Sequence, residues 1–194
     1  MITTEQVKEL RNKTGVSVMQ CRRALEEAGG NIEKAVIILQ RKGSDIAEKK
    51  ANRALKSGAV QSYIHANGSI GAIVELSCET DFVAKNSDFI ALAYDIAMHT
   101  AATDPQFLKM EDITESVKKQ AVEIFEKEVI DKPKDLKEKI IEGKLKAYFG
   151  EQVLLDQQFI KNPDMTIRNL INSATQKFGE RIEVRRFVRF STLQ

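Results

Sequence analysis

No run of apolar residues in this 194-residue chain approaches the ~18 that a membrane span requires. The first residues, Met1-Ile2-Thr3-Thr4-Glu5-Gln6, lack the basic and apolar regions of a secretion signal, so neither membrane insertion nor secretion is expected. Cysteine occurs only at positions 21 and 78, too sparsely for a disulfide framework or a zinc cluster, and a reducing compartment is the expectation. Histidine occurs only at positions 65 and 99, which leaves a metal site or a Ser-His triad without its usual complement. The chain has no GxxxxGK[ST] loop, no GxGxxG after a strand, no HExxH and no GxSxG. Enzymes built on those motifs are excluded, and neither a cofactor nor a metal is expected. Surplus charge is missing too: 30 Lys plus Arg against 28 Asp plus Glu leave a net +2.

That small sum conceals a segregated distribution. Residues 1–56 carry 12 basic and 7 acidic side chains (net +5), residues 57–110 carry 2 and 6 (net −4), residues 111–148 carry 9 and 10 (net −1), and residues 149–194 carry 7 and 5 (net +2). Such asymmetry implies several working surfaces on one chain.

The basic segment reads as short helices. Thr3 with Gln6 and Ser17 with Gln20 have capping-box spacing, while Gly15, Gly29-Gly30 and Gly43 punctuate the ends. Val7 and Leu10, then Val18, Cys21, Leu25 and Ala28, then Ile32, Ala35, Val36 and Leu39 recur at helical spacing. Such short amphipathic helices can bury their stripes only against one another, which gives a three-helix module over 1–43. Ser44 is then expected to open an Ala-rich linker helix over 44–57.

The pattern changes at Gly58. Residues 59–65 and 70–77 flank Asn67-Gly68 and predict a β-hairpin. A helix is predicted from about Asp88 to Ala102, stopped by Pro105, and a second is capped by Thr166 and ended by Gly179. In the last run Ile182, Val184, Val188 and Phe190 are expected on one face of a strand, with Glu183, Arg185 and Arg189 on the other. Residues 58–110 and 149–194 therefore predict an α+β core: a small antiparallel sheet packed with helices. Between them, residues 111–148 show helical spacing on both sides of Asp131-Lys132-Pro133, an antiparallel helical hairpin arm. Its balanced charge favours a solvated structural arm over a dedicated binding element.

Three features carry chemistry. Arg181, Arg185, Arg186 and Arg189 alternate with Phe187 and Phe190, as stacking on nucleic acid would need, but core packing with flanking arginines is the expectation, given no overall basic surplus. Cys78 ends an apolar strand, which suits a buried thiol better than a nucleophile. Thr80-Asp81-Phe82-Val83 sets an aromatic beside an acid in a strand-to-helix turn. From chemistry alone Phe82 either folds back into its own core or projects as an anchor for a partner.

The segment Cys78-Glu79-Thr80-Asp81-Phe82-Val83-Ala84 resembles the signature of the elongation factor Ts family. The similarity runs in order through Val7-Lys8-Glu9-Leu10-Arg11, Cys21-Arg22-Arg23-Ala24-Leu25, Tyr63-Ile64-His65, Ala97-Met98-His99, Gly143-Lys144 and Phe178-Gly179-Glu180 to Arg185-Arg186-Phe187. The resemblance implies a ubiquitin-associated-like fold for the three-helix module. It also implies a guanine-nucleotide exchange factor for elongation factor Tu, without covalent chemistry, working in the cytoplasm or, after removal of a transit peptide, in an organelle matrix. Thr80, Asp81, Phe82 and Val83 would form the exchange wedge beside the partner's magnesium site. His65, Phe178 and Gly179 would make secondary contacts, and Val18, Met19 and Arg22 would dock the module; here Val18, Gln20 and Arg22 replace the family's usual Met, Asp and Lys. Longer members have two related half-cores. This chain has material for one, and a homodimer is the expected replacement for the other. No direct nucleic-acid binding is expected on this reading. A ribosome- or RNA-associated binding protein is the alternative, and a thiol enzyme using Cys78 a third.

Overall fold

The computed structural model describes residues 2–129 and 133–192, without the side chains of residues 134 and 135. The described residues divide into two compact units: residues up to Ala101 together with those from Arg168 onward, and residues Ala102–Ile167.

The first unit opens with three helices, α1 (Thr4–Thr14), α2 (Val18–Glu27) and α3 (Ile32–Lys49). At the start of α1 the box is reciprocal: the Gln6 amide donates to Thr3 Oγ1 (3.2 Å), and the Thr3 amide donates to Gln6 Oε1 (2.9 Å). At α2 only half of it forms, because Ser17 Oγ donates to Gln20 Oε1 (3.1 Å) and occupies the oxygen that would have taken the Ser17 amide. Val7, Leu10, Val16, Cys21, Ala24, Leu25, Ala35 and Leu39 form the buried centre of the module.

Gly43 does not end a helix. It lies within α3, and a Cβ there would sit 3.1 Å from the Asn172 carbonyl oxygen, so glycine serves close helix approach rather than termination. Asn172 Nδ2 also donates to Ser44 Oγ (2.9 Å), which ties the residue expected to open a new helix into the continuous one.

The core sheet has strand order β1-β2-β5, from β1 (Ser57–Ile64), β2 (Ile70–Cys78) and β5 (Glu183–Ser191), all antiparallel. The hairpin turn differs from a two-residue Asn-Gly loop. The Gly68 amide donates to His65 O (2.7 Å) and Gly68 takes φ +71°, while Asn67 accepts from the Ser69 amide (3.1 Å) and hydroxyl (2.7 Å). After β2 comes the one-turn helix α4 (Asp81–Ala84), then α5 (Ser87–Thr103), and before β5 comes α8 (Ile167–Phe178). Helix α5 packs on the sheet through an edge contact of Tyr94 with Tyr63 (5.8 Å between ring centroids), and α8 meets α5 through Phe178 and Phe89 (6.2 Å).

The expected alternation of β5 holds only for its first half. Val184 pairs with Leu76 and Arg186 with Glu75, so Arg185 is an extra residue in a β-bulge and the faces exchange beyond it. Val184 is buried, but Val188 and Phe190 point outward, and Phe190 is 64% exposed. Arg189 instead lies inward, its Nε donating to Ala101 O in α5 (2.9 Å). The core role expected for Phe190 is thereby corrected.

In the second unit, α6 (Glu115–Glu128) packs on α7 (Lys134–Gly150), and a two-stranded ribbon, β3 (Gln158–Phe159) with β4 (Asn162–Thr166), follows. Phe125 meets Tyr148 at 5.7 Å and Glu128 pairs with Lys144, an order that runs the two helices antiparallel. Ile113, Ala121, Phe149 and Val153 are its buried centre. Pro133 caps α7, but Asp131 and Lys132 of the expected turn lie outside the described residues.

Candidate functional site

The Thr80–Val83 segment enters the short helix α4, which has one side deeply anchored and one side bare. Thr80 is its N-cap, with Oγ1 accepting from the Val83 amide at 3.5 Å. Val83 and Ala84 are buried beneath the turn, whereas Phe82 is 81% exposed. The choice left open by the residues is thus decided: the phenyl ring projects from the core. Asp81 is exposed beside it and accepts from Lys85 Nζ one turn later (2.8 Å). That hydrogen bond and the ammonium charge hold the Asp81 carboxyl below its ordinary value, and the same bond with the carboxylate charge holds Lys85 above its own.

A four-residue helix cannot hold itself together, because nucleation alone costs more than one turn returns. Its rigidity comes from two carboxylates that reach across each other. Glu180 Oε2 accepts from the amides of Glu79 (3.1 Å) and Thr80 (3.0 Å), and its Oε1 accepts from Thr80 Oγ1 (2.6 Å). In return Glu79 Oε1 accepts from the Arg181 amide (2.6 Å), and Glu79 Oε2 pairs with Arg53 NH1 (3.1 Å). Burial opposes ionisation of Glu79, but the Arg181 amide and the Arg53 guanidinium outweigh it and hold the carboxyl below its ordinary value. Arg181 NH1 donates to Arg53 O (2.7 Å), and Lys50 Nζ to Gly179 O (2.6 Å), so the end of α3 is drawn into the same cluster.

Phe178 and Gly179 therefore join the Thr80–Val83 turn through the next two residues of their own loop. Phe178 is half-buried on Phe89, with Lys177 Nζ 5.4 Å from its ring, and Gly179 has φ +71°. His65 is not brought there. Ser57 lies opposite Cys78 and Ile64 opposite Gly71, so His65 and Phe82 sit at opposite ends of the hairpin, roughly 25 Å apart at ~3.3 Å per residue. His65 Nδ1 is 3.2 Å from Tyr63 Oη. Val18, Met19 and Arg22 share the exposed face of α2, where Arg22 pairs with Glu26 (3.2 Å).

The geometry runs against thiol chemistry at Cys78. The residue is fully buried, its Sγ donates to Thr80 O (3.1 Å), and desolvation, reinforced by the charge of Glu180, raises the thiol above its ordinary value of 9.0. The arginines near the C-terminus are engaged within the fold: Arg186 with Glu75 (2.6 Å), Arg185 more loosely with the same carboxylate (3.8 Å), and Arg181 with Glu183.

An exposed aromatic on a braced turn now has a family context. The family model described as elongation factor TS matches residues 4–194. The chain belongs to the elongation factor Ts family. An elongation factor Ts of Thermodesulfovibrio yellowstonii is 50% identical over 194 residues, covering all of this chain and 97% of the relative. One of Carboxydothermus hydrogenoformans is 48% identical over 192 residues, covering 98% of this chain and 88% of the relative. One of Syntrophus aciditrophicus is 47% identical over 191 residues, covering 97% and 95%. Membership of an elongation factor Ts family makes this a translation elongation factor. Among the described residues no helix is long and apolar enough to cross a membrane.

The sequence alone did not assign Arg53 or Lys50 to the site; it placed Glu79 and Glu180 only within family stretches, and Arg181 only in the run of arginines and phenylalanines near the C-terminus. Glu79 and Glu180 lie within two separate family segments, but their mutual reach spans 101 residues and has no local pattern.

Proposed function

We propose that this chain promotes release of GDP from elongation factor Tu, with Phe82 as an apolar wedge entering the partner's nucleotide domain beside its magnesium site. The exposure of Phe82 on a turn braced from below carries the reading. Large aromatics rarely stand free on a rigid element unless something else buries them. A ring pushed between packed elements favours a second arrangement of the partner, in which the magnesium ligands and phosphate-binding loop lose hold of GDP. Asp81, held in place by its hydrogen bond from Lys85, supplies an oriented polar contact at the wedge's edge, while Thr80 and Val83 cap and anchor it. Coupling is reciprocal: a factor that weakens GDP tenfold is itself weakened tenfold by GDP, about 1.4 kcal/mol each way. Nucleotide entry therefore ejects the factor, which recycles without covalent chemistry.

The α2 face of Val18, Met19 and Arg22 provides docking, and the basic bias of residues 1–56 suits an acidic patch on the partner. A second copy of the chain is the other partner. The outer face of the sheet carries exposed Val60, Ile64, Ile73, Val188 and Phe190, with Glu75 and Arg186 beside a groove of about 230 Å³. That mixture of apolar centre and paired charges is self-complementary, as an isologous contact requires. Stacking two such sheets antiparallel sets the His65 end of one copy over the Phe82 end of the other, so one partner can meet both. A solution mass of 21.8 kDa at micromolar concentration would reject the dimer.

The decisive experiment follows fluorescent GDP leaving elongation factor Tu on addition of trace amounts of the chain. The expected result is acceleration by wild type and loss of most of it in folded Phe82→Ala. Normal stimulation by that variant refutes the wedge.

A further inference from the structure

We infer that Glu180 is a positioning residue for nucleotide exchange: its carboxylate fixes Thr80, and through Thr80 the direction in which Phe82 projects. The inference rests on the wedge reading and assigns it a brace from a loop 100 residues further along the chain.

Every polar main-chain and side-chain atom of Thr80 is engaged. The amide and the hydroxyl proton go to the two oxygens of Glu180 (3.0 and 2.6 Å), Oγ1 caps the Val83 amide, and the carbonyl accepts from Cys78 Sγ (3.1 Å) and the Ala84 amide (3.2 Å). Hydroxyl donation to a carboxylate makes Oγ1 a better acceptor, so the cap of α4 and the bond to Glu180 strengthen each other. Phe82 lies between this cap and the buried Val83. It has little contact of its own to set its direction, so its position follows that of Thr80. The Glu79 carboxylate accepting from the Arg181 amide ties the 178–181 loop to the turn from the other side. The clasp therefore holds together two segments that the family resemblance marks separately, Thr80–Val83 and Phe178-Gly179.

Glutamate suits this position because one side chain must satisfy three donors in two directions. Glutamine keeps an oxygen for the Thr80 hydroxyl but turns an NH₂ group toward the Glu79 and Thr80 amides. Alanine removes both acceptor oxygens and with them all three hydrogen bonds. Misplacing an interacting group by ~1 Å costs as much as ~100-fold in rate. Glu180→Ala is accordingly expected to lower the maximal stimulated GDP-release rate roughly ten- to hundredfold, with the half-saturating concentration of factor moving less than about threefold. Glu180→Gln should fall between wild type and Glu180→Ala. In a Phe82→Ala background Glu180→Ala should add almost nothing, because both act through the same ring.

The test measures stimulated GDP release from elongation factor Tu for wild type, Glu180→Gln, Glu180→Ala, Phe82→Ala and the double variant. Thermal melting checks the fold of each, and amide exchange of Glu79 and Thr80 reports on the clasp in Glu180→Gln. Faster exchange at those two amides, with the graded and non-additive rate losses, is the expected result. Loss of stimulation in Phe82→Ala with unchanged rates in Glu180→Gln and Glu180→Ala overturns this inference alone. So does an equal further loss from Glu180→Ala in the Phe82→Ala background. Normal stimulation by Phe82→Ala overturns the wedge and this inference with it.

Discussion

Two phenylalanines seven residues apart should separate function from stability. Phe82 exposes 81% of its surface, so about a fifth of a side chain worth ~200 Å² is hidden by the fold, roughly 40 Å². At ~25 cal/mol per Å² its truncation costs about 1 kcal/mol or less. Phe89 is fully buried, in edge contact with Phe178, and Phe89→Ala should cost about 3–5 kcal/mol through lost burial and the cavity left behind. Urea unfolding followed by far-ultraviolet circular dichroism reads both numbers from the shift in midpoint at constant slope. The exchange assay should rank the two in the opposite order: Phe82→Ala native but inactive, Phe89→Ala active to the extent that it is folded. A Phe82→Ala variant destabilised by more than about 2 kcal/mol would instead show the ring to be part of its own core.

Other expectations follow from single contacts. At Gly58 a Cβ would lie 2.4 Å from the Leu76 carbonyl oxygen, so Gly58→Ala should destabilise by about 1–3 kcal/mol, visible as a lower urea midpoint; an unchanged midpoint would show that β1 is free to move there. The Glu79 carboxyl is held below its ordinary 4.5, so its stabilising contribution is complete above that pH and is lost as pH falls through the lower folded value. A nuclear magnetic resonance titration of the Arg181 amide should then inflect below pH 4.5, and an inflection at or above it contradicts the clasp. Burial raises both Cys21 and Cys78 above 9.0, so this contribution is present below pH 9.0 and lost as pH rises through the folded values. Thiol reagents at pH 8 should label native protein far more slowly than urea-unfolded protein, and equal rates would mean that the thiols are open.

What the residues reveal by themselves is whatever their near neighbours determine. The Thr3–Gln6 box, the apolar stripes of the first three helices and the antiparallel arm are legible because each depends on contacts a few positions apart. Gly43 is misread for the opposite reason. Glycine after a helical stripe normally signals a stop, and nothing local announces that Asn172 of α8 presses against this one. The β5 bulge is hidden in the same way. Ile182, Val184, Val188 and Phe190 keep an even spacing, and only pairing with Glu75 and Leu76 shows that Arg185 has shifted the second half by one residue.

That shift changes both faces of the sheet. Without the bulge Val188 and Phe190 would face the helices, Arg189 would face outward, and the sheet would offer a more polar outer surface. With it, Arg189 is drawn in to the Ala101 carbonyl, and Val188 and Phe190 join Val60, Ile64 and Ile73 outside. An unpaired Arg189 would be costly to keep there, and the carbonyl at the C-terminal part of α5 satisfies it. One inserted residue thus sets the inner polar contact and the outer apolar face together. The same sheet separates Phe82 from His65 by its full length, and in the dimer proposed above its outer face is the surface across which a second copy would bring them together. Replacing Val188 with lysine places a charge on that outer face without touching the Phe82 turn, and so tests whether the two ends work through one contact or two.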